Sequence, residues 1–181
     1  MTPSEDSRNL IDKYKGLENN QIIADLDKTR IPLELAIENL SHDFNIGTII
    51  RNANAFNVAR VHIIGKRKYN RRGAMVTDKY LHITHWPTPE DFLVDAEKRG
   101  RELVAIENNT PNCQPLSSAA FSPNTTLLFG SEGDGLSTNL VSACPKIYRI
   151  EQLGSTRSIN VGCASAIALY EFCHKQHLFP H

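Results

Sequence analysis

At 181 residues, with 20 Lys and Arg against 20 Asp and Glu, the chain is formally neutral. It is long enough for one domain with a sizeable core and short for two. No apolar run approaches the roughly 18 residues needed to cross a bilayer, and the opening MTPSEDSRNL lacks the basic and apolar regions of a secretory leader, so a cytoplasmic protein is expected.

Residues 1–31 alternate charge with apolar positions (Leu10, Ile11, Tyr14, Leu17, Ile22, Ile23, Leu26), which predicts a helical N-terminal element serving as a lid or an interface. Pro32 then marks the edge of a first strand over 33–38, where no ladder donor is needed. A helix is predicted over 45–57 and a strand over 60–64. Next comes a basic segment in which Arg60, Lys66, Arg67, Lys68, Arg71, Arg72 and Lys79 face the single acid Asp78. A neutral protein with one strongly basic stretch has the charge footprint of a surface that meets a phosphate backbone, although a solvated loop read alone would look the same.

A short strand is predicted over 83–86. Thr88-Pro89-Glu90 then opens a helix with a capping hydroxyl, proline at the first position and an acid in the first turn, and Gly100 closes it. Strands over 102–106, 126–129 and 146–150 follow, with a turn-rich loop over 108–115 and a short helix over 137–143. The last helix (Val161, Ala164, Ile167, Ala168, Leu169, Phe172) is apolar on nearly every side, with Ser158 as its expected cap. Strands alternating with helices over short connections predict one α/β domain, a mostly parallel sheet with helices on both faces.

The four cysteines, Cys113, Cys144, Cys163 and Cys173, show no C-x-x-C spacing, which predicts reduced, mostly buried thiols and no metal site. A dinucleotide fold would carry glycines in the turn after the first strand, and residues 39–43 contain none. The glycines come late, at Gly130, Gly133, Gly135 and Gly154, so the ligand loops are expected in the C-terminal half. No Gly-Lys-Ser/Thr follows Gly130-Ser-Glu-Gly133, so it is not a phosphate loop, and its serine spacing does not fit a nucleophile elbow.

Three stretches occur in order: NLSHDFNIGTIIRNANAFN over 39–57, with Asn45 and Arg51 six residues apart; LLFGSEGDGL over 127–136; and RIEQLGSTRSINVGCASAIALY over 149–170. Together they resemble the three signature motifs of the SpoU-type branch of the SPOUT superfamily, the RNA 2'-O-ribose methyltransferases that use S-adenosyl-L-methionine (AdoMet). The resemblance covers residues 33–173 and marks them as the catalytic core. It implies a C-terminal trefoil knot holding AdoMet, with contacts at Ile106, Gly130, Ile150, Ser158 and Ile159. It places Arg51 beside the target ribose and phosphate, with Asn45, Glu132, Ser158 and Asn160 at the remaining catalytic positions. In the family the matching arginine has been proposed to take the hydroxyl proton; because a guanidinium stays protonated in proteins, clamping phosphate and stabilising a forming alkoxide is the physically favoured of the two roles for Arg51.

The implied substrate is tRNA or rRNA, met by Arg51 together with Lys66, Arg67, Lys68, Arg71 and Arg72. A homodimer paired through the last helix is implied as well, the arginine of one subunit completing the other's site. The chain departs from the pattern at Glu151, where proline is usual, at Ile159, where leucine is commoner, and at Gly162, where serine is usual. Proline would have fixed the backbone at position 151, so Glu151 bears on the rigidity of the cofactor loop. With no separate RNA-binding domain expected ahead of the core, substrate choice falls to the N-terminal element, the basic segment and the second subunit. Two other readings compete. Asn45, Arg51, Glu132 and Asn160 argue against an inactive RNA-binding protein of this fold, and the basic segment argues against a methyltransferase for small molecules or proteins.

Overall fold

The computed structural model describes residues 6–39, 45–108, 110–131 and 135–179. Within them, seven strands form one sheet in the order β3-β2-β1-β6-β4-β7-β5, and every pairing is parallel. The strands are β1 (Ile31–Asn39), β2 (Val58–Gly65), β3 (Ile83–Trp86), β4 (Glu102–Ile106), β5 (Gln114–Pro115), β6 (Thr125–Phe129) and β7 (Lys146–Arg149). The helices are α1 (Asn19–Leu26), α2 (Asn45–Ala55), α3 (Pro89–Lys98), α4 (Thr138–Ser142) and α5 (Val161–Lys175).

A parallel strand at the centre of a covered sheet is buried on both faces, and β1 is buried from Leu33 to Asn39. One layer of core joins Leu33, Leu35 and Ile37 to α2 (Ile46, Ile49, Ile50) and α5 (Leu169, Phe172). The opposite layer joins Ala36 and Leu128 to Phe92 of α3 and Leu140 of α4. Helices therefore cover both faces of the sheet. The predicted cap of α3 is present, since Thr88 Oγ1 accepts from Asp91 N at 3.2 Å, with Pro89 at the first position.

Three expectations change. β1 starts at Ile31 and takes in Pro32, and its register to β2 is irregular between Ile31 and Glu34, where proline offers no donor. The loop over 108–115 ends in the two-residue strand β5, too short to leave a periodic signal. Only half of the thiols are buried: Cys144 and Cys173 are, and burial pushes their pKa values up to about 12 and about 11, while Cys113 is intermediate and Cys163 exposed. The N-terminal element folds as a single turn over Asp12–Tyr14 followed by α1, and Ile22 and Tyr14 close over Tyr80.

A polar network lies on the α3 side of the sheet. His62 Nε2 stands 3.0 Å from Glu34 Oε2, Trp86 Nε1 donates to His62 Nδ1 at 2.9 Å, and Arg99 Nη1 donates to both Glu34 oxygens. Because the indole donates to Nδ1, the imidazole proton resides on Nε2 and the ring is neutral. Burial alone would raise the Glu34 pKa, but the hydrogen bonds from His62 and Arg99 and the charge of Arg101 outweigh it and hold the carboxyl at about 2. Burial lowers the His62 pKa, and the Arg99 and Arg60 charges act in the same direction.

Both groups bind fewer protons folded than unfolded, so their stabilisation is complete above the unfolded histidine value of 6.5. It falls as pH drops through that value, and again between the unfolded carboxyl value of 4.5 and about 2. Denaturant titration from pH 8 to pH 3 is expected to show this two-limbed loss, and Glu34→Gln to shrink the lower limb, the rest of which belongs to other carboxyls held below their usual range, such as Asp25 and Glu102. A pH-independent midpoint would contradict the assignment.

Candidate active site

In a parallel sheet the loops that follow neighbouring strands all leave at the same edge. The loops after β4, β6 and β7 do so here, and with the start of α5 they enclose a cavity of about 230 Å³. Ile106, Gly130, Ile150, Ser158 and Ile159, from four separate stretches of chain, all line it. Its wall also contains Glu107, Asn108, Ser131 and Arg157, which the sequence reading did not single out.

Glycine at 130 is required by close backbone approach. A Cβ there would stand 2.1 Å from the carbonyl carbon of Gly135 and 2.3 Å from the amide nitrogen of Leu136. Gly135 itself has φ +70 and donates its amide to Ser131 O at 3.0 Å. Two side chains after β4 then tie the three loops together. Glu107 Oε2 accepts from Leu136 N at 3.3 Å, and Asn108 Oδ1 accepts from Ile150 N at 3.3 Å. The signal for them was a pair of polar residues directly after an apolar strand, which is common in any loop.

Glu151, in the place of the usual proline, accepts a short hydrogen bond from the Ser117 hydroxyl, which lowers its pKa. A side-chain anchor to the turn over Leu116–Ser118 thus stands where a ring would have restrained the backbone. Ser131 Oγ on the cavity wall is buried and has no hydrogen-bond partner among the described residues. A buried unsatisfied hydroxyl facing a cavity is a vacant donor and acceptor for a ligand.

The cap of α5 is Asn160 and not Ser158. Asn160 Oδ1 accepts from Gly162 N at 2.9 Å and Cys163 N at 3.2 Å, and because the helix begins at Val161, Ser158 is left to the cavity. Asn160 Nδ2 donates to Asn45 Oδ1 at 2.7 Å, so the first residue of α2 is joined to the start of α5. Two turns on, Asn52 Nδ2 donates to Gly162 O at 2.8 Å and to Ser165 Oγ at 2.9 Å. Gly162 has a packing reason to be glycine: a Cβ there would meet Thr48 Cγ2 at 2.8 Å, so the usual serine would require the Thr48 side chain to shift.

Arg51 is exposed on α2, does not line the cavity of its own chain, and has no hydrogen bond or ion pair among the described residues. Glu132 and Gly133 lie outside the described residues. Lys66, Arg67 and Lys68 form an exposed loop after β2, whose carbonyls at Lys66 and Lys68 accept from Asn39 Nδ2. Arg71 is held by Asp78, which neutralises part of its charge. The turn over Arg71–Ala74 packs on α2 so closely that a Cβ on Gly47 would stand 2.8 Å from Asn70 O. The basic segment is thereby fixed against the helix that carries Arg51. Among the described residues no cluster of three or more His, Cys, Asp or Glu could hold a metal.

The sequence profile of the SpoU rRNA Methylase family matches residues 32–170. A tRNA (guanosine(18)-2'-O)-methyltransferase of Aquifex aeolicus is 27% identical over 152 residues, 81% of this chain and 71% of the relative. A 23S rRNA (guanosine-2'-O-)-methyltransferase of Coxiella burnetii is 27% identical over 171 residues, 88% of this chain and 66% of the relative. The chain thus spans about two thirds of the length of these curated relatives. The AdoMet-bound rRNA methyltransferase from Sinorhizobium meliloti superposes with a TM-score of 0.74 at 24% identity, covering 86% of this chain and 61% of that one. With the fold shared and more than two thirds of its residues under the profile, the chain belongs to the SpoU rRNA Methylase family.

Proposed function

We propose that this protein transfers a methyl group from AdoMet to a ribose 2'-hydroxyl of structured RNA, tRNA or rRNA. The observation that carries this reading is the convergence of Ile106, Gly130, Ile150, Ser158 and Ile159 on one cavity. The residues present suit the cofactor: backbone that approaches closely at Gly130, apolar side chains at Ile106, Ile150 and Ile159, and the unpartnered Ser131 hydroxyl. When bound, AdoMet supplies an electrophilic methyl group to this site. The knot implied by the family resemblance belongs to the same reading.

The chain's own contribution is alignment and electrostatics. Asn160 and Asn45 fix the starts of α5 and α2 relative to each other, which sets the position of Arg51. Arg51 clamps the phosphate beside the target ribose, and its charge would stabilise the 2'-oxygen as the hydroxyl proton passes to water. The exposed basic loop holds the RNA backbone in position without reading sequence. A cytoplasmic location fits this reading, and no helix among the described residues is long and apolar enough to cross a membrane.

The site is completed by a second copy. Arg51 lies outside its own chain's cavity, and α5 exposes an apolar stripe on the face turned from the core, with Ile167 43% and Tyr170 57% exposed and Cys163 above them. Sedimentation at micromolar concentration is expected to show a dimer and Ile167→Asp a monomer; a monomeric wild type would contradict this. The catalytic reading is tested by giving methyl-labelled AdoMet and the protein separately purified tRNA and rRNA. Incorporation approaching one methyl per molecule in one fraction is expected, and none in either would refute it.

A further inference from the structure

A second cleft, of about 620 Å³, lies between the N-terminal segment and the basic loop. Arg8, Arg71 and Arg72 stand around it, Met75 and Val76 supply its exposed apolar surface, and the buried Tyr80 lies at its floor. Nothing in the methyl-transfer site uses it.

Met75 and Val76 are both held in the left-handed region, at φ 48 and φ 70. That conformation is unfavourable for any residue with a Cβ, and most of all for a β-branched one. Burial does not compensate here, because the side chains are 52% and 48% exposed. The turn is nonetheless fixed on both sides: Ala74 and Thr77 are buried, and Thr77 Oγ1 donates to Ala74 O at 2.6 Å. A strained turn that presents two apolar side chains to solvent is a feature of use and not of stability.

The cations around the cleft differ in availability. Arg8 is committed to Asp6, Asn19 and the Leu17 carbonyl, and Arg71 is held by Asp78. The Arg72 guanidinium is exposed and has no partner among the described residues. The cleft therefore offers one free guanidinium beside an apolar surface. It also rides on α2, since a Cβ on Gly73 would stand 3.0 Å from Thr48 N, one turn before Arg51.

We propose that this cleft holds an unstacked nucleotide of the RNA, adjacent to the one that is methylated, with its base against Met75 and Val76 and its phosphate on Arg72. An unstacked nucleotide is the ligand that needs an apolar platform and a guanidinium together, and the volume falls in the range of about 300–1,000 Å³ usual for small-ligand sites. The proposal rests on the reading that the substrate is RNA.

The test compares binding of the full chain to a short oligouridylate and to the same oligomer with abasic riboses, over a salt series. Wild type is expected to prefer the base-bearing oligomer by about tenfold. The double variant Met75→Ser, Val76→Gly should lose that preference while keeping its salt slope, because apolar contacts release no counterions. Glycine also relieves the strain at position 76, so the variant should melt no lower than wild type. Arg72→Glu should weaken both oligomers alike and flatten the log-log slope by about 0.7. A folded double variant that keeps the base preference, or a wild type that binds both oligomers equally, overturns the cleft and leaves the RNA reading standing. A wild type that binds neither oligomer nor any RNA fraction overturns the RNA reading itself.

Discussion

Arg51→Ala is expected to reduce methyl transfer at least about a hundredfold while AdoMet affinity stays within about twofold of wild type. The separation follows from geometry. Arg51 is exposed on α2, makes no hydrogen bond or ion pair among the described residues, and is not part of the cavity wall of its own chain. On the proposed reading, truncation removes a charge from the reacting centre without disturbing either the core or the loops around the cavity. Arg51→Lys should recover only part of the rate, because an ammonium cannot reproduce the two-point grip of a guanidinium on phosphate. Calorimetry with AdoMet alongside single-turnover rates decides the matter. A large loss of AdoMet binding in Arg51→Ala would place this residue in the cofactor site and withdraw its assigned role.

Gly130→Ala should act in the opposite way, on the cofactor. A Cβ there would lie 2.1 Å from the Gly135 carbonyl carbon and 2.4 Å from its oxygen, both backbone atoms with no flexible end to yield. Relief requires Gly135 to move, and with it Leu136 N, whose hydrogen bond to Glu107 joins two of the three loops. AdoMet affinity is expected to fall at least about a hundredfold, with a stability loss of about 1–3 kcal/mol from overpacking. Gly154 is the internal control, since nothing lies within 4 Å of a Cβ built on it. Gly154→Ala should be neutral or slightly stabilising, by up to about 1 kcal/mol. Equal AdoMet binding by wild type and Gly130→Ala would mean that the cavity is not the cofactor site.

The elements that could be read from the sequence were those specified by local rules. β4 and the cap of α3 depend on an apolar run and on a Thr-Pro pair, and both stand where the pattern put them. Local rules failed where two residues satisfied them equally. Ser158 and Asn160 are both good caps, and only packing of α5 against α2 assigns the role to Asn160, through Thr48 against Gly162 and the Asn45 hydrogen bond. They failed again where a side chain acts across the fold. Asn108 bonds to Ile150, 42 residues on, and Glu34 meets His62 and Arg99, 28 and 65 residues on. In sequence Glu34 is an ordinary polar position in an alternating strand. The basic segment was legible as charge, but the left-handed turn at Met75 and Val76 that gives it an apolar edge was not, because neither residue type favours that backbone.

The central claim, methyl transfer to ribose oxygen, is tested most directly by incubating the protein with methyl-labelled AdoMet and total RNA, digesting the RNA to nucleosides and identifying the labelled species. The account predicts label in 2'-O-methyl nucleosides with wild type and none with Arg51→Ala. Label in a methylated base or in protein, or binding of RNA and AdoMet without any transfer, would contradict it.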